Sequence, residues 1–196
     1  MRKQLQFSVY ALLGLTLFFG ACKKNDEVIP TENPFASFLA DSTTTIEAVN
    51  DNKYDYELGY EFTSSKAATL TELGARMPKA GTYQVTLWDA ETGKSIVQAN
   101  VTQAKDGVSA STSVAKTALT AGKAYRISVY TDNKAYYQIY PKRTAVEVKA
   151  ARIGMFPIVK GNITISNSFY SEDKSVYPDS NAEGYLYGYP EFGVQF

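Results

Sequence analysis

The sequence predicts an all-β protein, an antiparallel two-sheet β-sandwich. From residue 43 onward apolar and polar residues alternate, the pattern of a strand with one buried face. Turn-forming clusters such as Asn50-Asp51-Asn52-Lys53, Lys79-Ala80-Gly81 and Glu91-Thr92-Gly93-Lys94 recur and divide the chain into roughly ten short strands. No long helical periodicity competes with this alternation. Short antiparallel strands at such spacing bury their apolar faces by packing one sheet on another.

The first expected strand, 44–49, is folded by the turn at 50–53 as a hairpin onto the second, 54–62. In the second, Tyr54, Tyr56, Leu58, Tyr60 and Phe62 share one face. Asp55, Glu57, Gly59 and Glu61 share the other, and acids on a half-solvated strand are expected to face water. Strand 68–77 follows, then 82–89 with Tyr83, Val85 and Leu87 on one face. Glu91-Thr92-Gly93-Lys94 closes a hairpin onto 95–101, where Val97, Ala99 and Val101 point inward. Further strands are expected at 108–114, at 124–131 with Tyr125, Ile127 and Val129 inward, at 135–140 and at 146–148. The last ones fall at 163–166, 184–187 and 192–196. Trp88, next to the 89–94 turn, reads as a structural residue at a sheet edge.

The N-terminal region follows a different logic. Arg2 and Lys3 precede an apolar run from Phe7 to Ala21 broken only by Ser8 and Thr16, which is signal-peptide anatomy. As a helix that run would reach about 22 Å, short of the roughly 30 Å hydrocarbon core of a bilayer. It ends Phe19-Gly20-Ala21-Cys22, which resembles the lipobox of bacterial lipoproteins, with Phe19 where an aliphatic residue is usual. The resemblance implies a cleaved leader, 1–21, and acylation of Cys22, the only cysteine of the chain. Each buried methylene contributes about 0.8 kcal/mol, so two or three acyl chains give lasting membrane attachment where one does not.

Residues 22–42 are polar and proline-bearing and are expected to form a flexible linker, with Phe35, Phe38 and Leu39 able to dock or make a turn of helix. Lys23-Lys24-Asn25-Asp26-Glu27 resembles the export tag that carries lipoproteins of the Bacteroidota to the outer face of the outer membrane. The expected location is therefore a lipid anchor in the outer membrane facing the cell surface, the other reading being a periplasm-facing anchor. The folded domain is expected over 43–196.

Composition excludes several classes. Removing Arg2 and Lys3 leaves 18 basic against 20 acidic residues, without the basic excess that displaces counterions from phosphate, so no nucleic-acid partner is expected. The lone cysteine allows no internal disulfide. The absence of histidine removes the commonest general base and most transition-metal sites. No catalytic residue and no cofactor are expected. Glu172, Asp173 and Asp179 could offer oxygen ligands to calcium, but they lack EF-hand spacing, and no metal site is assigned.

Tyrosine is the suggestive residue: fifteen are present. Tyr60, Tyr83 and Tyr125 belong to the core alternation. Tyr136, Tyr137, Tyr140, Tyr170 and Tyr177 fall at or beside expected turns and form the candidate ligand-binding set, whereas Tyr185, Tyr187 and Tyr189 also fit one inward strand face. An aromatic ring offers a flat apolar face to the C–H side of a sugar and a polar tip beside it, and loops at one end of a sandwich are the usual place for recognition.

Leu58-Gly59-Tyr60-Glu61-Phe62-Thr63, then Thr82-Tyr83-Gln84-Val85-Thr86-Leu87-Trp88-Asp89, then Leu119-Thr120-Ala121-Gly122-Lys123-Ala124-Tyr125-Arg126-Ile127-Ser128 resemble the DUF4082 family. Phe169-Tyr170, Tyr177-Pro178 and Glu191-Phe192-Gly193-Val194-Gln195-Phe196 extend the resemblance, although Pro190-Glu191-Phe192 stands where the family has a tryptophan. It implies a jelly-roll-like sandwich of the kind found in secreted, carbohydrate-related or surface proteins, and no known reaction. The expected function is a cell-envelope-anchored lipoprotein acting as a non-catalytic binding module for a glycan or a host or matrix protein. The alternative is a structural or accessory subunit of an outer-membrane or surface assembly.

Overall fold

The computed structural model describes residues 29–39, 44–50, 54–132, 134–142, 156–182 and 184–196. The expected leader 1–21, Cys22, the turn residues 51–53 and the strand at 146–148 lie outside them.

Pro34 opens the helix α1 (Pro34–Leu39), a position where its missing N–H has no partner to lose. Thirteen strands follow among the described residues. They are β1 (Thr44–Val49), β2 (Glu57–Ser64), β3 (Ala68–Ala75), β4 (Gly81–Asp89), β5 (Ser95–Gln103), β6 (Ala110–Leu119) and β7 (Ala124–Tyr130). Then come β8 (Tyr136–Pro141), β9 (Ile158–Lys160), β10 (Ile163–Ser171), β11 (Ser180–Asn181), β12 (Leu186–Tyr187) and β13 (Pro190–Gln195). The fold is all-β, and every strand pairing is antiparallel.

The largest sheet runs β11-β10-β2-β7-β4-β5, with β9 on β10, and two three-stranded sheets run β13-β3-β6 and β1-β8-β12. Strand β1 falls where expected but does not form a hairpin with β2; it pairs with β8, from Thr44 opposite Pro141 to Val49 opposite Tyr136. The reason is occupancy: β2 already has β7 on one side and β10 on the other, so neither edge is open to β1.

Alternation drives the packing. Leu58, Tyr60 and Phe62 of β2 oppose Val129, Ile127 and Tyr125 of β7 on one face of the large sheet. That face is buried in one core with Leu70, Leu73, Phe192 and Val194 of the β13-β3-β6 sheet. Phe62 stacks on Phe192 with ring centroids 4.4 Å apart, and the buried Tyr60 hydroxyl donates to the Pro190 carbonyl at 2.9 Å. Each such side chain contributes roughly 1.5–3 kcal/mol by leaving water. Gly59, between these core residues, faces the other way, and a Cβ there would lie 1.9 Å from the Ile127 carbonyl oxygen.

The expected linker 22–42 is folded over its described part. Phe35 is 1 % exposed, stacks on Tyr60 at 4.7 Å and meets Tyr189 edge-on at 4.7 Å. Glu32 and Val194 exchange backbone hydrogen bonds of 2.8 and 2.9 Å, and the Gln195 side chain donates to the Ile29 carbonyl. An aromatic plug between two core tyrosines thus holds residues 29–39 on the body, docked as Phe35 allowed.

Candidate functional site

The small sheet β1-β8-β12 closes over the end of the large sheet where β2 begins. Leu186 and Ile139, paired between β12 and β8, are fully buried and seat it. The Ser168 hydroxyl of β10 donates to the Gly59 carbonyl at 3.0 Å and accepts the Tyr187 N–H at 3.3 Å, tying β12 to the large sheet. Gly188 follows at φ 72° and passes so close to β2 that a Cβ would come within 2.8 Å of the Leu58 Cβ. That left-handed turn brings Tyr185 and Tyr187 down toward the start of β2.

The result is a cavity of about 400 Å³ walled by Tyr56, Tyr136, Tyr170, Tyr185 and Tyr187, with Glu172 and Asn181 supplying a carboxylate and an amide. Beside it a second cavity of about 300 Å³ is lined by Glu47, Gln138, Tyr140 and Tyr185. Tyr136, Tyr56 and Tyr170 form edge-to-face pairs with centroids 5.8 and 6.4 Å apart, and Tyr136 meets Tyr187 at 6.1 Å. Burial raises the Tyr187 phenol above its ordinary value, and Tyr185 and Tyr170 act in the same direction. Such a phenol stays protonated at neutral pH and can donate.

Of the five tyrosines singled out from sequence, Tyr136 and Tyr170 line the first cavity and Tyr140 the second. Tyr137 does not join them. It lies on the opposite face of β8, with its ring 5.9 Å from the Arg76 guanidinium and 6.3 Å from Tyr189. Tyr177 lies elsewhere again, edge-on to Trp88 at 6.0 Å, its hydroxyl donating to the Ala90 carbonyl at 2.9 Å. Tyr56, Tyr185 and Tyr187 complete the site. The signal for them was present in the alternation Tyr54-Asp55-Tyr56 and Tyr185-Leu186-Tyr187, but not the pairing that gathers them.

The segment 172–181 that supplies Glu172 and Asn181 is fastened across the outer face of the large sheet. Glu57, expected to face water, is fully buried beneath it. Trp88 donates its indole N–H to the Ser128 hydroxyl at 2.7 Å, Ser128 donates to Glu57 Oε1 at 2.6 Å, and the Ser175 backbone N–H donates to Oε2 at 3.1 Å. Burial pushes the Glu57 carboxyl up to about 7, against the opposing pull of those two hydrogen bonds and of Lys174. Trp88 is structural, as expected, but it is interior: β4 lies between β7 and β5 rather than at an edge. Alongside, Arg126 forms an ion pair with Glu61 at 3.1 Å, and its guanidinium sits 3.3 Å from the Phe169 ring centroid and 4.6 Å from that of Tyr177. Among the described residues no group of three or more Cys, Asp or Glu side chains is gathered as a metal site.

In comparison with known protein families, residues 41–188 match the family described as a domain of unknown function, DUF4082. Comparison with curated proteins gives no match.

Proposed function

The chain belongs to the DUF4082 family, and on that premise we propose that it is a non-catalytic binding module, held on the cell envelope through an acylated Cys22, whose tyrosine-walled cavity takes a carbohydrate. One observation carries the reading: five tyrosines surround a single cavity that also presents an amide and a carboxylate. A sugar ring has an apolar C–H face, which lies well on an aromatic ring, and a rim of hydroxyls, which need donors and acceptors together. Largely preformed concave sites with a few convergent polar groups are where small ligands bind.

The position of the tether suits this role. Ile29 is held beside Gln195, which pairs with Thr69 at the β2–β3 turn, whereas Tyr56 and Leu58 of the cavity lie at the start of β2. The eight residues of β2 separate the two ends by roughly 27 Å at about 3.4 Å per residue. The described chain thus enters at the end away from the cavity, an arrangement that suits a cavity turned away from an anchor at Cys22. We read the stacked sheets as a jelly-roll-like sandwich and the anchor as one in the outer membrane, facing the cell surface.

The test is a glycan array and calorimetry with the protein from residue 23 onward. Binding that is lost in Tyr136→Ala and Tyr170→Ala and kept in Tyr177→Phe supports the reading. A protein that binds no glycan but co-purifies with one envelope protein favours the accessory-subunit alternative. Mass spectrometry of the membrane fraction checks the anchor, and an unmodified Cys22 on a soluble protein rejects it.

A further inference from the structure

The two cavities are not independent. Tyr185 lines both, so they share a wall. From it a trail of tyrosines runs in each direction: Tyr140 lies 5.9 Å away on the side of the second cavity, and Tyr187 lies 6.0 Å away on the side of the first. The trail continues from Tyr187 through Tyr136 at 6.1 Å to Tyr56 at 5.8 Å. Successive rings at this spacing form a track rather than a spot, and a track fits a chain of repeating units.

Charge narrows the occupant. Each cavity carries one carboxylate, Glu172 in the first and Glu47 in the second, and both side chains are exposed. Among the described residues, the remaining polar groups that line them are tyrosine hydroxyls and the amides of Asn181 and Gln138, with no lysine or arginine. A uronate, sialate or sulfate would meet like charge from Glu172 in one cavity and Glu47 in the other, with no guanidinium among the described lining residues to offset it. Uncharged hydroxyls, by contrast, can donate to the carboxylates and exchange hydrogen bonds with the amides.

We infer that the two cavities are adjoining subsites for one linear, uncharged glycan, which lies across Tyr185 with at least one sugar unit on each side. This rests on the carbohydrate reading above. Its test uses calorimetry on the protein from residue 23 onward, with neutral hexasaccharides of glucose, xylose or mannose, the corresponding monosaccharides, and hexagalacturonate as probes.

One neutral hexasaccharide is expected to bind about tenfold more tightly than its monosaccharide, the gain of a second aromatic contact. Tyr140→Ala should remove that length dependence, so that hexasaccharide and monosaccharide bind the variant about equally. Hexagalacturonate should bind more weakly than the neutral chain. It should gain on going to the Glu47→Gln, Glu172→Gln double variant, and also in the unaltered protein as salt is raised, because exposed charges are screened. Equal affinity for monosaccharide and hexasaccharide, or preference for hexagalacturonate, overturns this inference and leaves the carbohydrate reading standing. No binding by any probe overturns both.

Discussion

Two regions of this molecule are built from the same materials and end in opposite states. The outer face of the large sheet carries Phe169, Trp88, Glu57 and Glu61, with Tyr177 laid over it from segment 172–181, and the end of the sheet is walled by Tyr56, Tyr136, Tyr170, Tyr187 and Glu172. In the first, the chain supplies its own occupant: Arg126 fills the space between Phe169 and Tyr177, and Ser128 and Ser175 each donate a hydrogen bond to Glu57. In the second, a comparable ring set encloses about 400 Å³ of open space. Aromatic and acidic residues do not by themselves mark a binding site. The difference is whether a side chain of the same protein already fills the gap.

The comparison can be broken most severely at Arg126. Arg126→Ala removes the guanidinium from between two rings and leaves Glu61 with the Ser166 hydroxyl but without its cation, the paired side chains being only 12 % and 22 % exposed. A loss of about 3 kcal/mol is expected in urea unfolding, the range seen when one partner of a largely buried pair is removed. Because segment 172–181 is fastened there, ligand affinity should fall with it.

The next effect is pH-dependent. The folded-state value of Glu57, about 7, lies above the ordinary 4.5, so the folded protein holds a proton that the unfolded chain releases. That contribution is complete below about pH 4.5 and is lost as pH rises toward 7. It amounts to about 3–4 kcal/mol at most, since each pH unit between the two values is worth about 1.4 kcal/mol. Burial also raises the Glu191 carboxyl, which contributes with the same sign. Unfolding of Glu57→Gln across pH 4–8 should therefore show a flatter slope than the parent rather than none, and an unchanged slope would reject the assignment.

Smaller changes sharpen the contrast. Tyr177→Phe loses one hydrogen bond to the Ala90 carbonyl and should lower stability by about 1 kcal/mol with ligand affinity unchanged. Tyr185→Ala should do the reverse, shifting stability by less than about 1 kcal/mol while weakening the glycan about tenfold. If Tyr185→Ala instead unfolds the protein, that ring belongs with the self-filled region and not with the open one.

Much of the strand content was legible because two-residue alternation is a local property. Tyr83-Gln84-Val85-Thr86-Leu87 and Tyr125-Arg126-Ile127-Ser128-Val129 declare their buried face without reference to anything else. Strand pairing is not local, so the β1–β8 and β12–β8 contacts that create the cavity were not readable. The strands β9 and β11, of three and two residues, are too short to show a period. Alternation also separates what proximity in sequence suggests: Tyr136 and Tyr137 are neighbours, yet one faces the cavity and the other Arg76. The burial of Glu57 is not legible either, because its strand face looks solvated until segment 172–181, more than a hundred residues later, closes over it.

The lacing of the N-terminal segment along β13 has a mechanical meaning. A pull at residue 29 is borne first by the Gln195 side chain and the paired Glu32–Val194 bonds, and then by the Phe35 plug. Strain applied at residue 29 is thus taken up by the last strand, at the opposite end of β2 from the tyrosine-lined cavity.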